Sequence, residues 1–218
     1  TVEQPFVIDQ YALTITASIG VAIYPGDGLD MEILQRNADV AMYRTKKESR
    51  NNYRFFNSLM QIESTRHLQV VNALRQAISA GQLMLHYQPQ VSLHGGQIIG
   101  VEALLRWQHS ELGYVSPAEF IPLAESNGLI VSIGSWVLEQ AIQQIQRWHQ
   151  QGLGPISVSV NLSGVQFRDP KLPGLVHGLL ERYQVPPAAL ELELTEGVAL
   201  ENPEGAMAMM DALNGLGV

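Results

Sequence analysis

The sequence predicts an α/β protein whose larger part is built from parallel β/α units, and three observations carry that expectation. The strand-like runs ISVSVNL (156–162) and LELELT (190–195) alternate with helical patterns at Pro117 to Ser126, Ile133 to Gln150, Leu172 to Tyr183 and Glu204 to Leu213, the order that builds a parallel sheet covered by helices. Ahead of them, LMLHYQPQV and QIIGVEALLRW flank SLHGG, a hairpin signal. Finally, 218 residues at 46% apolar content suffice for a sizeable core.

Nearer the start, LTITASIGVAIY (13–24) is β-branched and aromatic and is closed by PGDG, so it reads as one strand and its exit turn. A helix capped by Asp30 follows, with Ile33, Leu34, Ala38, Ala41 and Met42 at helical spacing and Lys46 and Lys47 in its last turn. NNYRFFN then reads as a short strand. From Met60 to Ser79, Ile62, Leu68, Val71, Leu74 and Ile78 recur without Gly or Pro, which predicts an amphipathic helix at whose start a domain junction is placed.

Charge and composition narrow the partners. A net charge of -8 lacks the basic footprint of a nucleic-acid polymer binder. A small anion remains compatible if a few arginines, lysines or divalent ions offset the acidic background locally. The absence of cysteine excludes thiolate zinc sites and disulfides. No apolar run reaches the roughly 18 residues of a membrane span, and the first residues lack a signal-peptide pattern, so a soluble segment without membrane contact is expected. Thr1 and the final LNGLGV suggest a chain cut at both ends.

The chemistry concentrates at strand positions. Glu102 interrupts the apolar run GVEALLRW, and a carboxylate there costs several kcal/mol unless it meets a cation, a metal or donors. Glu102 and Arg106 share a strand face, which taken alone suggests an ion pair. In LELELTE, Glu191, Glu193 and Thr195 face one way and three leucines the other; in ISVSVNL, Ser157, Ser159 and Asn161 share a face. Asn161 and Glu193 both fall at carboxyl ends of strands, where α/β folds gather their sites. Carboxylate, amide oxygen and carboxylate suit Mg²⁺ or Mn²⁺, and a nearby guanidinium suits a phosphate. The six histidines show no metal-ligand spacing, and Met207, Met209 and Met210 read as helix core.

These segments carry a resemblance. YQPQV, GVEALLRW, PAEFIPLAE, SVNLSGVQF and ELELTEG, in this order, resemble the first half of an EAL-type cyclic di-GMP phosphodiesterase domain, and ITASIGVAIYP with ADVAMYRTKKESRNNYRFF resembles the end of a GGDEF (diguanylate cyclase) domain. The resemblance divides the chain into a GGDEF tail at 1–60, a connecting helix at 61–80 and the N-terminal part of an EAL domain at 81–218. It implies an α/β fold, a partial modified TIM barrel whose first strand runs antiparallel, preceded by the tail of an α+β domain.

The activity it implies is hydrolysis of cyclic di-GMP to linear pGpG in bacterial second-messenger signalling, in the cytoplasm, with upstream segments able to anchor the parent protein. The alternative is a catalytically inactive cyclic di-GMP receptor or scaffold. By motif, Glu102, Asn161 and Glu193 are implied metal ligands for Mg²⁺ or Mn²⁺, two ions in the complete site. Gln88 and Arg106 are implied to contact the substrate and Leu104 to line the guanine pocket. Glu196, with Glu102 the catalytic pair of acids, is implied to brace a neighbouring loop. The next motif, DDFGTG, and the GGDEF signature are not within the sequence, so hydrolysis is expected of the parent protein and not of this segment alone, and no cyclase activity is assigned. Lys46 matches a nucleotide-contacting position, but as a surface lysine at a helix end it is expected to be solvated. The oligomeric state stays open, with a homodimer, common among similar proteins, as one candidate.

Overall fold

The structure is a computed structural model that describes residues 5–48, 51–154, 156–194 and 202–218, with the backbone alone at Phe6 and Glu48. The chain forms two compact units, Thr1–Gln69 and Val70–Val218.

In the first unit β1 (Phe6–Ile8) and β2 (Tyr11–Leu13) pair antiparallel around Asp9, whose φ of 53° makes the tight turn. β3 (Ile19–Val21) pairs in parallel with β4 (Tyr53–Phe55). The long strand expected at 13–24 is therefore two short ones, because residues 14–18 have no ladder partner among the described residues. β propensity is satisfied only where a neighbouring strand accepts the hydrogen bonds. α1 (Met31–Glu48) starts at Asp30, whose Oδ1 accepts the Ile33 amide at 2.8 Å. It lies so close to β3 that a Cβ on Gly20 would fall 1.9 Å from the Ala38 carbonyl oxygen. Lys46 is exposed near its end, as expected. α2 (Ser58–Leu74) begins where Asn57 Oδ1 accepts the Met60 amide, and an Arg44–Glu63 ion pair ties it to α1. It stops short of Ser79: Gln76 and Ala77 donate to Ala73 and Leu74, three residues back, and the chain tightens into turns that end at Gly81, φ 64°.

The second unit is a five-stranded sheet covered on one face by helices. β5 (Leu83–Val91) and β6 (Ile98–His109) form the expected hairpin, with Gln88 opposite Glu102. A short β7 (Gly113–Val115), not expected from the sequence, folds back on the end of β6. α3 (Pro117–Ser126) and α4 (Ile130–Gln150) lead to β8 (Ser157–Leu162), parallel to β6. The one-turn α5 (Gly164–Phe167), α6 (Leu172–Tyr183) and a 3-10 turn at Pro187–Ala189 lead to β9 (Leu190–Leu194), parallel to β8, and α7 spans Pro203–Asn214. The order β5-β6-β8-β9 thus has an antiparallel first strand followed by parallel β/α units, and it remains an open sheet among the described residues.

Alternation decides which face is dry. Val101, Ala103, Trp107, Val158, Val160 and Leu190 are buried under Ile133, Leu138, Ile142 and Ile145 of α4 and Val176 and Leu179 of α6. Full burial of such a side chain contributes about 1.5–3 kcal/mol, so this layer holds the sheet in place and leaves its other face for polar groups. Tyr183 fastens α6 to α4: its hydroxyl donates to Glu139 Oε1 at 2.8 Å and accepts from Gln143 Nε2 at 2.7 Å. On α7, Ala206, Met209 and Leu213 pack inward, whereas Met207 and Met210 are exposed. The core role expected for all three methionines holds only for Met209, because one helix stripe cannot contain neighbours 207, 209 and 210 together.

Candidate active site

The face of the sheet opposite the helices carries the polar residues, in rows set by the strand register. Gln88, Glu102, Ser159 and Glu191 occupy one row across β5, β6, β8 and β9. Two residues nearer the carboxyl ends of the parallel strands, Asn161 and Glu193 are register partners in the next row. Glu102 therefore sits one row deeper than Asn161 and Glu193, and its carboxylate bridges the step: Asn161 Nδ2 donates to Glu102 Oε1 at 2.6 Å. Ser159, fully buried, donates from Oγ to Glu191 Oε2 at 3.1 Å, which fixes that acid beside the pair.

Arg106 lies farther along β6. Its guanidinium donates to its neighbour's carbonyl, Leu105 O, at 2.9 Å, and no ion pair joins it to Glu102 among the described residues. The pairing that the sequence spacing suggested does not form, because Glu102 already takes its hydrogen bond from Asn161 and Arg106 turns to the edge of its strand. Leu104, Arg106 and Asn161 line one cavity of about 380 Å³ beneath α3 and α4, closed by Ile121, Ile133 and Gln166.

Of the residues singled out in the sequence, the structure thus brings Glu102, Asn161, Glu193 and Gln88 to adjacent positions on one face and places Leu104 and Arg106 at its rim. Glu196 and Thr195 lie outside the described residues. Among the described residues no three His, Cys, Asp or Glu side chains group as a metal set. A cation held at this face therefore depends on the Asn161 amide as well as on carboxylates. The donors fit a hard ion: two carboxylates and a carbonyl-bearing amide, with the His86 imidazole on the same face opposite Leu104. Two histidines have local partners: His109 Nδ1 accepts the Glu111 and Leu112 amides at 3.1 Å each, and His177 faces Glu181 at 3.5 Å.

Sequence reasoning missed three residues that shape this rim. Ser163, directly after β8, and Gln166 form a reciprocal capping box, and Gly134 of α4 leaves the space into which the Gln166 side chain fits. The S-x-x-Q spacing at the end of a strand was the available signal.

Comparison with known proteins agrees with this architecture. The EAL domain family matches residues 71–218, and the GGDEF domain of diguanylate cyclases matches residues 1–52. The bifunctional diguanylate cyclase/cyclic di-GMP phosphodiesterase MucR of Pseudomonas aeruginosa is 43% identical over 217 residues, covering 100% of this chain and 32% of that protein. The cyclic di-GMP phosphodiesterase NbdA of the same organism is 37% identical over 216 residues, covering 99% and 28%. The chain spans about a third of the length of these relatives. Among solved structures, the PaMucR phosphodiesterase in complex with c-di-GMP superposes with a TM-score of 0.67 at 43% identity, over 69% of this chain and 61% of that one. The FimX EAL domain from Pseudomonas aeruginosa bound to c-di-GMP gives 0.60 at 29% identity, over 67% and 58%. With its antiparallel first strand, its parallel β/α units and a family match that takes in the whole second unit but its first residue, the chain belongs to the EAL domain family, a modified TIM barrel.

Proposed function

We propose that the protein containing this chain is a divalent-metal-dependent phosphodiesterase that opens one phosphodiester of cyclic di-GMP to give linear pGpG. The single observation that carries the reading is the 2.6 Å contact between Asn161 and Glu102, made next to Glu193 at the carboxyl ends of parallel strands. Glu102, Asn161 and Glu193 lie on three neighbouring strands and share one face there, toward the rim where barrel enzymes do chemistry. The names of the matched relatives MucR, NbdA and PdeR as cyclic di-GMP phosphodiesterases, and the c-di-GMP bound in the matched EAL structures, support the substrate class.

In this proposal Glu102, Asn161 and Glu193 hold Mg²⁺ or Mn²⁺. A cation bound there supplies Lewis-acid chemistry to the scissile phosphodiester. Arg106 grips a phosphate through its planar fork, which a lysine cannot reproduce. Leu104 presents an apolar wall to a base, and Gln88, opposite Glu102, offers an amide to the ligand. These groups would hold the phosphodiester in one orientation for water, whose oxygen bonds to phosphorus as the P–O3′ bond breaks and the ribose oxygen leaves as the free 3′-hydroxyl of pGpG. Glu196 takes the role of bracing a neighbouring loop.

A receptor that binds cyclic di-GMP without cleaving it is the second reading. Chromatographic assay of the full-length protein with cyclic di-GMP decides between them. Hydrolysis to pGpG in Mg²⁺ or Mn²⁺, abolished by a chelator and lowered at least a hundredfold by Glu102→Ala, is the expected result. Binding without turnover in either ion would establish the receptor, and undiminished turnover in chelator would refute the assigned donors.

A further inference from the structure

We infer that Gln166 is a positioning residue for the Asn161 end of β8, locked in place by the missing side chain of Gly134. The inference rests on the proposed use of Asn161 as a metal donor and assigns the part of the fold that aims it.

Ladder pairing explains why Asn161 needs outside support. On one side β8 follows β9 through Leu162 and Leu194, but on the other its pairing with β6 ends at Ala103 and Val160. Asn161 is thus the residue at which the two-sided part of β8, Val158 to Val160, gives way to pairing on one side only. The chain then enters α5, which has four residues. Helix nucleation fixes several dihedrals for a single hydrogen bond, so one turn does not hold itself.

The box at Ser163 supplies the missing constraint. Ser163 Oγ accepts the Gln166 amide at 3.2 Å, and Gln166 Oε1 accepts the Ser163 amide at 3.3 Å. Gln166 is only 6% exposed. Its amide lies over α4, where a Cβ on Gly134 would stand 1.8 Å from Nε2 and 2.4 Å from Cδ. A side chain at 134 must shift the Gln166 amide, and with it the Oε1 that closes the box two residues from Asn161. Gln166 and Asn161 also line the same cavity with Arg106.

Four variants of the full-length protein test this: Gln166→Ala, Gln166→Glu, Gly134→Ala and the Gly134→Ala/Gln166→Ala pair. Two readouts are needed, the Asn161 side-chain amide resonance in the metal-free protein and the Mn²⁺ dissociation constant from paramagnetic resonance titration. Gln166→Ala and Gly134→Ala should each shift the Asn161 resonance and weaken Mn²⁺ binding by about 10–100-fold, the range for groups that orient metal ligands. Gln166→Glu, which can still accept the Ser163 amide, should restore both. The double variant should be no worse than Gln166→Ala, since without the amide there is nothing for the alanine at 134 to displace. An unmoved Asn161 resonance in Gln166→Ala, failure of Gln166→Glu to differ from Gln166→Ala, or effects of the two single changes that multiply would each overturn the inference. If the unmodified full-length protein takes up no Mn²⁺, the proposed function falls, and the Asn161 resonance still decides the positioning role.

Discussion

Replacing Glu102 by glutamine separates what its carboxylate does for the fold from what it does for a cation. Glu102 and Glu191 flank Ser159 in register, two inter-strand spacings or about 10 Å apart. At that distance two negative charges repel by about 0.4 kcal/mol in a water-like medium and about 1.7 kcal/mol at an effective dielectric near 20. Glu191 is exposed and Glu102 half-buried, so with a screening length of about 8 Å the lower figure governs. Glutamine removes that repulsion but also makes the hydrogen bond to Asn161 neutral, a loss of about 1 kcal/mol. The repulsion offsets less than half of that loss, leaving about 0.6 kcal/mol, so without metal the variant should melt about 1–3 °C below the unmodified protein. An ion at a hundred times its dissociation constant stabilises the unmodified fold by about 2.7 kcal/mol. For a unit of this size that is a rise of about 5–11 °C, which Glu102→Gln should lack. Thermal melts followed by circular dichroism, in chelator and in Mn²⁺, read both numbers. An equal Mn²⁺ shift in the variant would remove Glu102 from the cation site, and a metal-free loss above about 3 kcal/mol would make it a structural acid instead.

Two further outcomes follow from the same face and from its reverse. Arg106→Lys keeps the charge and loses the fork, so steady-state kinetics of the full-length protein should show KM for cyclic di-GMP raised about tenfold or more with the Mn²⁺ dissociation constant unchanged; weakened Mn²⁺ binding would place Arg106 in the wrong role. On the helix-covered face, burial pushes the Tyr87 phenol from its ordinary 10.0 up to about 12, against the opposing pull of Arg147. A folded-state value above the unfolded one means stability is full below pH 10 and is lost as pH rises toward 12. Urea unfolding between pH 9 and pH 11.5 should show a loss of about 1–2 kcal/mol, discounted for solvent screening, that Tyr87→Phe abolishes.

Local patterns in the sequence foretold what local physics decides. Ser116 followed by Pro117 at the first helical position marks α3, and period-two alternation marks the dry and wet faces of β6, β8 and β9. The failures fall where a distant partner decides. LTITASIGVAIY has the composition of one strand, yet only Ile19–Val21 meets β4. α4 begins at Ile130, three residues before its expected start, because Leu129 donates to Ala124 and closes the turn after Gly128, φ 70°. At the site the kinds of residue and the face they occupy were legible. The stagger that sets Glu102 one row below Asn161 was not, since register belongs to pairs of strands and not to either sequence. The lock between Gly134 and Gln166 joins residues of two helices through a missing atom, and a glycine within a helical run carries no sign of what fills its place.

That stagger also gives a reason for an amide at 161. Glu102, Glu191 and Glu193 already place three carboxylates on two adjacent rows of one face, in a chain of net charge -8. An aspartate at 161 would add a fourth and could not donate to Glu102, so the face would repel itself more strongly whenever no ion was bound. An asparagine has both ends available: its NH₂ group donates to Glu102, as the 2.6 Å contact shows, while its carbonyl is the oxygen that a hard cation takes. The same side chain can therefore hold the acid in place without an ion and contribute a neutral ligand with one. It lets a strongly acidic face stay folded and pre-arranged in both states, which is the condition for binding a cation, and through it an anionic phosphodiester, without first rebuilding the sheet.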